Sequence, residues 1–127
     1  MSDALELLRE LVAEGPDTEF RPFAYYDKHL DCIRVQFFDC SFTERRLNRF
    51  LTVLKANSPH AAKHAGFNIK GVRSLFERLG YSQTQVVKLT QLLDRLSKLY
   101  PDAAIASVLT RFGPLIDEGD LQVSLVS

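Results

Sequence analysis

Ser41 to Asn57 reads SFTERRLNRFLTVLKAN, and the element it forms decides the architecture of the chain. Ser41 and Glu44 have the S-x-x-E spacing of a capping box, in which hydroxyl and carboxylate satisfy each other's orphan main-chain donors. Leu47, Phe50, Leu51 and Leu54 fall on one side of a helical cylinder, with Arg45, Arg46 and Arg49 elsewhere on it. The spacing predicts a helix over 42–57, stopped by Asn57, Ser58 and Pro59.

Upstream, EFRPFAYYDKHLDCIRVQFFD (19–39) is rich in aromatic and β-branched residues around a polar DKHL. That pattern predicts a hairpin, with Ile33, Val35 and Phe37 on one face and Arg34, Gln36 and Phe38 on the other. Pro22 makes the first strand an edge strand or a bulged one. Before it, SDALELLRELVAEG has Ala4, Leu7, Leu8, Leu11 and Val12 at helical spacing. Glu6, Glu10 and Glu14 face outward, and Gly15-Pro16 stops the turn.

Downstream, GFNIK alternates as a short third strand, and VRSLFERLG is a short helix with Gly80 as its cap. Ser82 and Gln85 form a second capping box, which predicts a long helix carrying Val86, Leu89, Leu93 and Leu96 inward as far as Leu99. Pro101 suits the first position of another helix, ending at Gly113-Pro114. LQVSLV alternates as a last strand. The expected fold is α+β, one domain over 1–127: a small, mainly antiparallel sheet packed against about five helices, in the order αββαβαααβ. Its strands come from the N-terminal hairpin, the short middle strand and the C-terminal strand.

The chain has 127 residues, 46% hydrophobic and 25% charged, which is ordinary composition for a domain with its own core. No apolar run reaches the roughly 18 residues of a membrane span, and the acidic N-terminus lacks the basic region of a signal peptide. A cytoplasmic protein with reduced thiols is expected, since Cys32 and Cys40 are too few for a disulfide framework. Net charge is zero, yet residues 40–100 carry eleven basic side chains against three acidic ones, and residues 1–39 carry four against nine. Such asymmetry points to an anionic partner, or to acidic and basic elements that face each other.

Asp27, His29, Asp31 and Cys32 could be read as metal ligands, but zinc wants four ligands at characteristic spacing. Aspartates flanking a four-residue turn are what turn chemistry favours, so no metal or other cofactor is expected. Cys40, beside a predicted helix start, and the H-x-x-x-H pair His60 and His64 are the residues an enzyme or metalloprotein would use; the glutamate of H-E-x-x-H is missing. GFNIKG before a helix has the general form of a phosphate site without its glycine spacing, and a glycine turn from strand to helix is the simpler account. GYSQTQVVKL resembles the first helix of repressor-type helix-turn-helix domains. Val87 stands where a small residue belongs and Gln91 where the turn belongs, so the motif is rejected.

Three functions follow as expectations. The leading one is a non-catalytic interaction or assembly module that associates with itself or another protein through the aromatic hairpin, with Phe23, Tyr25 and Phe38 at the interface. The second is binding of an anion or nucleic acid through Arg45, Arg49, Lys70 and Arg73; nucleic acid is not favoured, given the near-neutral composition. The third is a small enzyme or metalloprotein using Cys40, His60 and His64.

Overall fold

The computed structural model describes residues 20–57 and 62–126; the helix expected over 2–15 and the histidine at 60 lie outside them. The hairpin over 19–39 forms as β1 (Phe23–Asp27) and β2 (Cys32–Gln36), with Tyr26 opposite Ile33. Its turn is built by aspartates. Asp27 Oδ1 accepts from the main-chain N–H groups of His29 and Leu30 at 3.1 and 3.3 Å. Asp31 takes a left-handed conformation (φ 49°), which Asp tolerates better than most residues.

The expected helix over 42–57 is a second hairpin, β3 (Phe42–Arg46) and β4 (Leu51–Ala56). Leu51, Thr52, Val53 and Leu54 are all buried, two on each face of the sheet, whereas a helix would have buried a single stripe. Asn48 makes the turn by accepting the N–H groups of Phe50 and Leu51 on its Oδ1, at 2.9 and 2.7 Å. The capping-box residues are spent elsewhere. Glu44 accepts from the Asn68 amide, and the Ser41 hydroxyl accepts from the Asn57 side-chain amide at 3.4 Å at the open end of the hairpin.

The middle strand, β5 (His64–Lys70), lies between the two hairpins and completes an antiparallel sheet in the order β1-β2-β5-β4-β3. Ile33, Val35, Ala65, Phe67, Ile69, Leu51 and Val53 build its buried face. Helix α1 (Val72–Leu79) follows directly and buries Val72, Leu75, Phe76 and Leu79. A short strand, β6 (Val87–Lys88), then leads into α2 (Leu89–Leu99), and α3 (Ala103–Gly119) follows before β7 (Gln122–Val123). Each leucine buried on α2 (Leu89, Leu92, Leu93 and Leu96) contributes about 1.5–3 kcal/mol of transfer free energy.

Three expectations about the second half are therefore corrected. The long helix does not start at Ser82. Gln85 Oε1 does accept the Ser82 N–H, but only within a turn, and Val87 goes on to pair with Val123. The last helix does not end at Gly113-Pro114. Its apolar stripe of Ile105, Val108, Phe112 and Ile116 runs through the proline, whose missing N–H costs one helical bond at the exposed Thr110. The C-terminal strand joins β6 in its own two-stranded ladder and not the main sheet. The fold is thus sheet-dominated α+β, with three helices among the described residues in place of about five, and the element order β1-β2-β3-β4-β5-α1-β6-α2-α3-β7 in place of αββαβαααβ.

Candidate anion-binding cleft

Helix α3 is anchored over β2 and β5 by Phe112. Its ring stacks on Phe37 at 5.1 Å between centroids and lies 5.3 Å from Phe67. Beside this anchor the β3–β4 half of the same face stays open, leaving a cleft of about 1110 Å³ between the second hairpin, the start of β5 and α3.

Strand alternation selects the cleft's polar residues. Arg45 lies opposite Val53 and Thr43 opposite Lys55, so all four project to the helix side of the sheet. The pairing of β4 with β5 is irregular at this point: Leu54 pairs with Gly66, but Lys55 pairs with His64. That bulge omits Ala65 from the β4 ladder and turns His64 onto the cleft side, a usual way for a sheet to re-aim one residue. One helical turn brings Arg111 into line with Ser107 and Val108 on α3.

The resulting lining holds the exposed Arg45, Lys55, Lys63 and Arg111, with the exposed Leu47 beside them and the buried Val53, Val108 and Phe112 beneath. Among the described residues no carboxylate lines it, and the ion pairs Arg34–Asp27 and Lys98–Asp94 lie elsewhere. His64 Nδ1 sits 3.1 Å from an Arg111 guanidinium nitrogen. Since arginine only donates, Nδ1 accepts, and His64 is the neutral Nε2–H tautomer. Partial burial, and then the positive charges of Arg111, Lys55 and Lys63, hold its pKa below the usual histidine value. Four cations share one concavity with no counter-charge among the described residues, and low-dielectric walls focus such a field.

The four cations expected to act together are dispersed. Arg45 lines the cleft, whereas Arg49 and Lys70 line a smaller hollow on the other side of Asn48. Arg73 lies at the first hairpin's turn, where its N–H donates to Asp31 Oδ1 at 3.1 Å. At the strand–glycine–helix junction the main-chain N–H groups of Gly71, Val72 and Arg73 are all taken by Asp31, so they are not offered to a phosphate. Asp31 O accepts from Gly71 N and Val72 N, so the N-terminus of α1 is already capped from the hairpin. Asp31 Oδ1 also takes the Tyr26 hydroxyl at 2.6 Å. Lys55 and Arg111 were missed by sequence reasoning, and Lys63 was noted only as one of the basic residues of the middle segment, because the bulge and the position of α3 that unite them are long-range features.

Of the remaining candidates, Tyr25 is exposed, Phe23 half-buried, and Phe38 packs partly against the core. Cys40 is half-buried in the β2–β3 loop, and His64 opens strand β5 and is not on a helix. Cys32 is buried in the sheet, and that burial pushes its thiol pKa up. Among the described residues no three histidine, cysteine or acidic side chains come together as a metal site, and no helix is long and apolar enough to cross a membrane. The chain matches no protein-family model, no curated protein and no solved structure.

Proposed function

We propose that this protein is a non-catalytic binding domain whose cleft takes an anion with an apolar part. The observation that carries this is the convergence of Arg45, Lys55, Lys63 and Arg111 above an apolar floor with no carboxylate in the described lining. The cations meet the charged end of the ligand, and Leu47, Val53 and Val108 meet its apolar portion. Phe112 is buried and stacked on Phe37, so it offers no free face to a nucleobase. Among the described residues the cleft therefore offers no stacking platform of the kind that single-stranded nucleic-acid sites use. Both described cysteines are unpaired, which fits a reducing compartment, and we assign the protein to the cytoplasm on that ground.

Fluorescence titration with anilinonaphthalene sulfonate, compared with its uncharged analogue phenylnaphthylamine, tests the reading. The sulfonate is expected to bind about tenfold more tightly, and Lys55→Glu with Arg111→Glu to abolish that preference. Equal binding of the two dyes would refute the proposal.

A second reading, self-association through the first hairpin, is favoured by one observation. Phe20, Phe23 and Tyr25 form an aromatic row at the sheet edge, with neighbouring centroids 5.8 Å apart and Tyr25 47% exposed. Light scattering of Tyr25→Lys against the parent decides it: a concentration-dependent dimer lost in the variant supports the reading, and a parent that stays monomeric ends it.

A further inference from the structure

We propose that the smaller hollow between the β3–β4 turn, the end of β5 and α1 is a second anion site, selective for a phosphoryl group. It encloses about 220 Å³ and brings together Arg49, Lys70 and Arg78, one from each of those elements. No carboxylate lines it among the described residues. The two nearby aspartates are already engaged. Asp31 caps α1 and accepts from Tyr26. Asp102 accepts from the Asn48 amide at 3.1 Å and from Ala104 N at 2.8 Å as the N-cap of α3.

Tyr100 organises the cations. The guanidinium carbons of Arg49 and Arg78 each lie 5.9 Å from its ring centroid, within cation–π range. Arg78 also donates a hydrogen bond to the Tyr100 hydroxyl. Two arginines held on one ring, with Lys70 beside them, repel one another until an anion joins them. Ser74 adds a hydroxyl donor to the lining, and Gly71 contributes no side chain to it. Gly71 N already donates to Asp31 O, so side chains alone hold the anion.

The number and kind of donors select the ligand class. A carboxylate brings one charge and two oxygens, fewer than three converging cations and a hydroxyl can use. A phosphate monoester brings nearly two charges and three equivalent oxygens, and it matches the arginine fork. The hollow is small enough to admit one such group with the first atoms of its ester.

Thermal unfolding in sodium phosphate, sodium acetate and sodium chloride at equal ionic strength tests this. Phosphate alone is expected to raise Tm, by about 3 °C or more at tens of millimolar. Arg49→Gln/Lys70→Gln/Arg78→Gln should lose that shift, and Lys55→Glu/Arg111→Glu in the cleft should keep it. A shift common to all three salts, one retained by the triple variant, or one lost in the cleft variant would overturn the proposal. The cleft variant thus separates this site's failure from failure of the cleft reading. If circular dichroism shows the triple variant unfolded, Lys70→Gln alone, at an exposed strand end, should weaken phosphate binding about tenfold; unchanged affinity overturns the site. Binding of glycerol 3-phosphate without sedimentation on phosphatidic-acid vesicles identifies a soluble ester as the source. Sedimentation that the triple variant loses identifies a lipid head group, and either result supports the phosphoryl site.

Discussion

Replacing Gly66 by alanine should unfold a large part of this protein's stability margin, and the geometry gives the size of the effect. Gly66 lies on the central strand beside the bulge that turns His64 into the cleft. An added Cβ would stand 2.0 Å from the Val35 carbonyl oxygen and 2.9 Å from the Gln36 Cα, both main-chain atoms of β2. Ordinary contact needs well over 3 Å, so β2 and β5 would have to part by more than ~1 Å. That movement stretches the Phe37 N–H bond to Ala65 O, now 2.7 Å, and separates Val35 from Phe67 in the ladder. Two weakened hydrogen bonds at about 1 kcal/mol each and a strained core contact sum to ~3–5 kcal/mol, out of a total of roughly 5–15 for a domain. Urea unfolding followed by circular dichroism measures the difference, and thermal melting should show a fall of ~10–20 °C. Gly113→Ala is the internal control, because no other element of the described structure lies within 4 Å of its added Cβ. The helix-propensity gain is opposed there by the Pro114 ring against that Cβ, so the change should stay within about 1 kcal/mol of the parent. Gly66→Ala within ~1 kcal/mol of the parent, at an unchanged denaturant slope, would refute the reasoning.

Charge reversal at Lys55 or Arg111 should each lower the salt slope of heparin binding by roughly one, while Lys98→Glu, distant and paired with Asp94, should not; equal slopes throughout would count against the cleft. His64 has a lowered pKa in the free protein, so below about pH 6.5 the unfolded chain binds more protons and stability should fall with pH. An anion in the cleft favours the imidazolium, so affinity should rise as pH drops through that range, with proton uptake that calorimetry in two buffers detects and His64→Gln abolishes. Asp31→Gly keeps the left-handed backbone but removes the acceptor for Tyr26 and for Arg73 N; it should cost ~1–2 kcal/mol in urea unfolding. Burial first, and then Asp31, raise the Tyr26 pKa, so ultraviolet titration should find that tyrosine ionising earlier in the variant.

The first hairpin was legible because its turn is local: Asp27 answers to His29 and Leu30, two and three residues away. The second hairpin was hidden by a coincidence of periods. Leu47, Phe50, Leu51 and Leu54 satisfy helical spacing, and the Ser41–Glu44 pair supplied a false start. The contrary signal was the unbroken run Leu51-Thr52-Val53-Leu54, which a central strand buries on both faces. Of the cleft, only Arg45 was named beforehand as an anion-binding residue, and from the wrong element. Lys55 and His64 become neighbours through a bulge, and Arg111 joins them because Phe112 seats α3 on two other aromatics. Neither event leaves a mark within a ten-residue window.

The two-residue ladder between Val87–Lys88 and Gln122–Val123 fastens the entry of the α2–α3 pair to its exit, helped by Leu89 N donating to Leu121 O at 3.0 Å. Both helices therefore form one closed hoop with its two ends tied together, and Phe112 seats that hoop on the main sheet. Amide exchange across 89–119 should accordingly slow as a block when an anion is seated in the cleft.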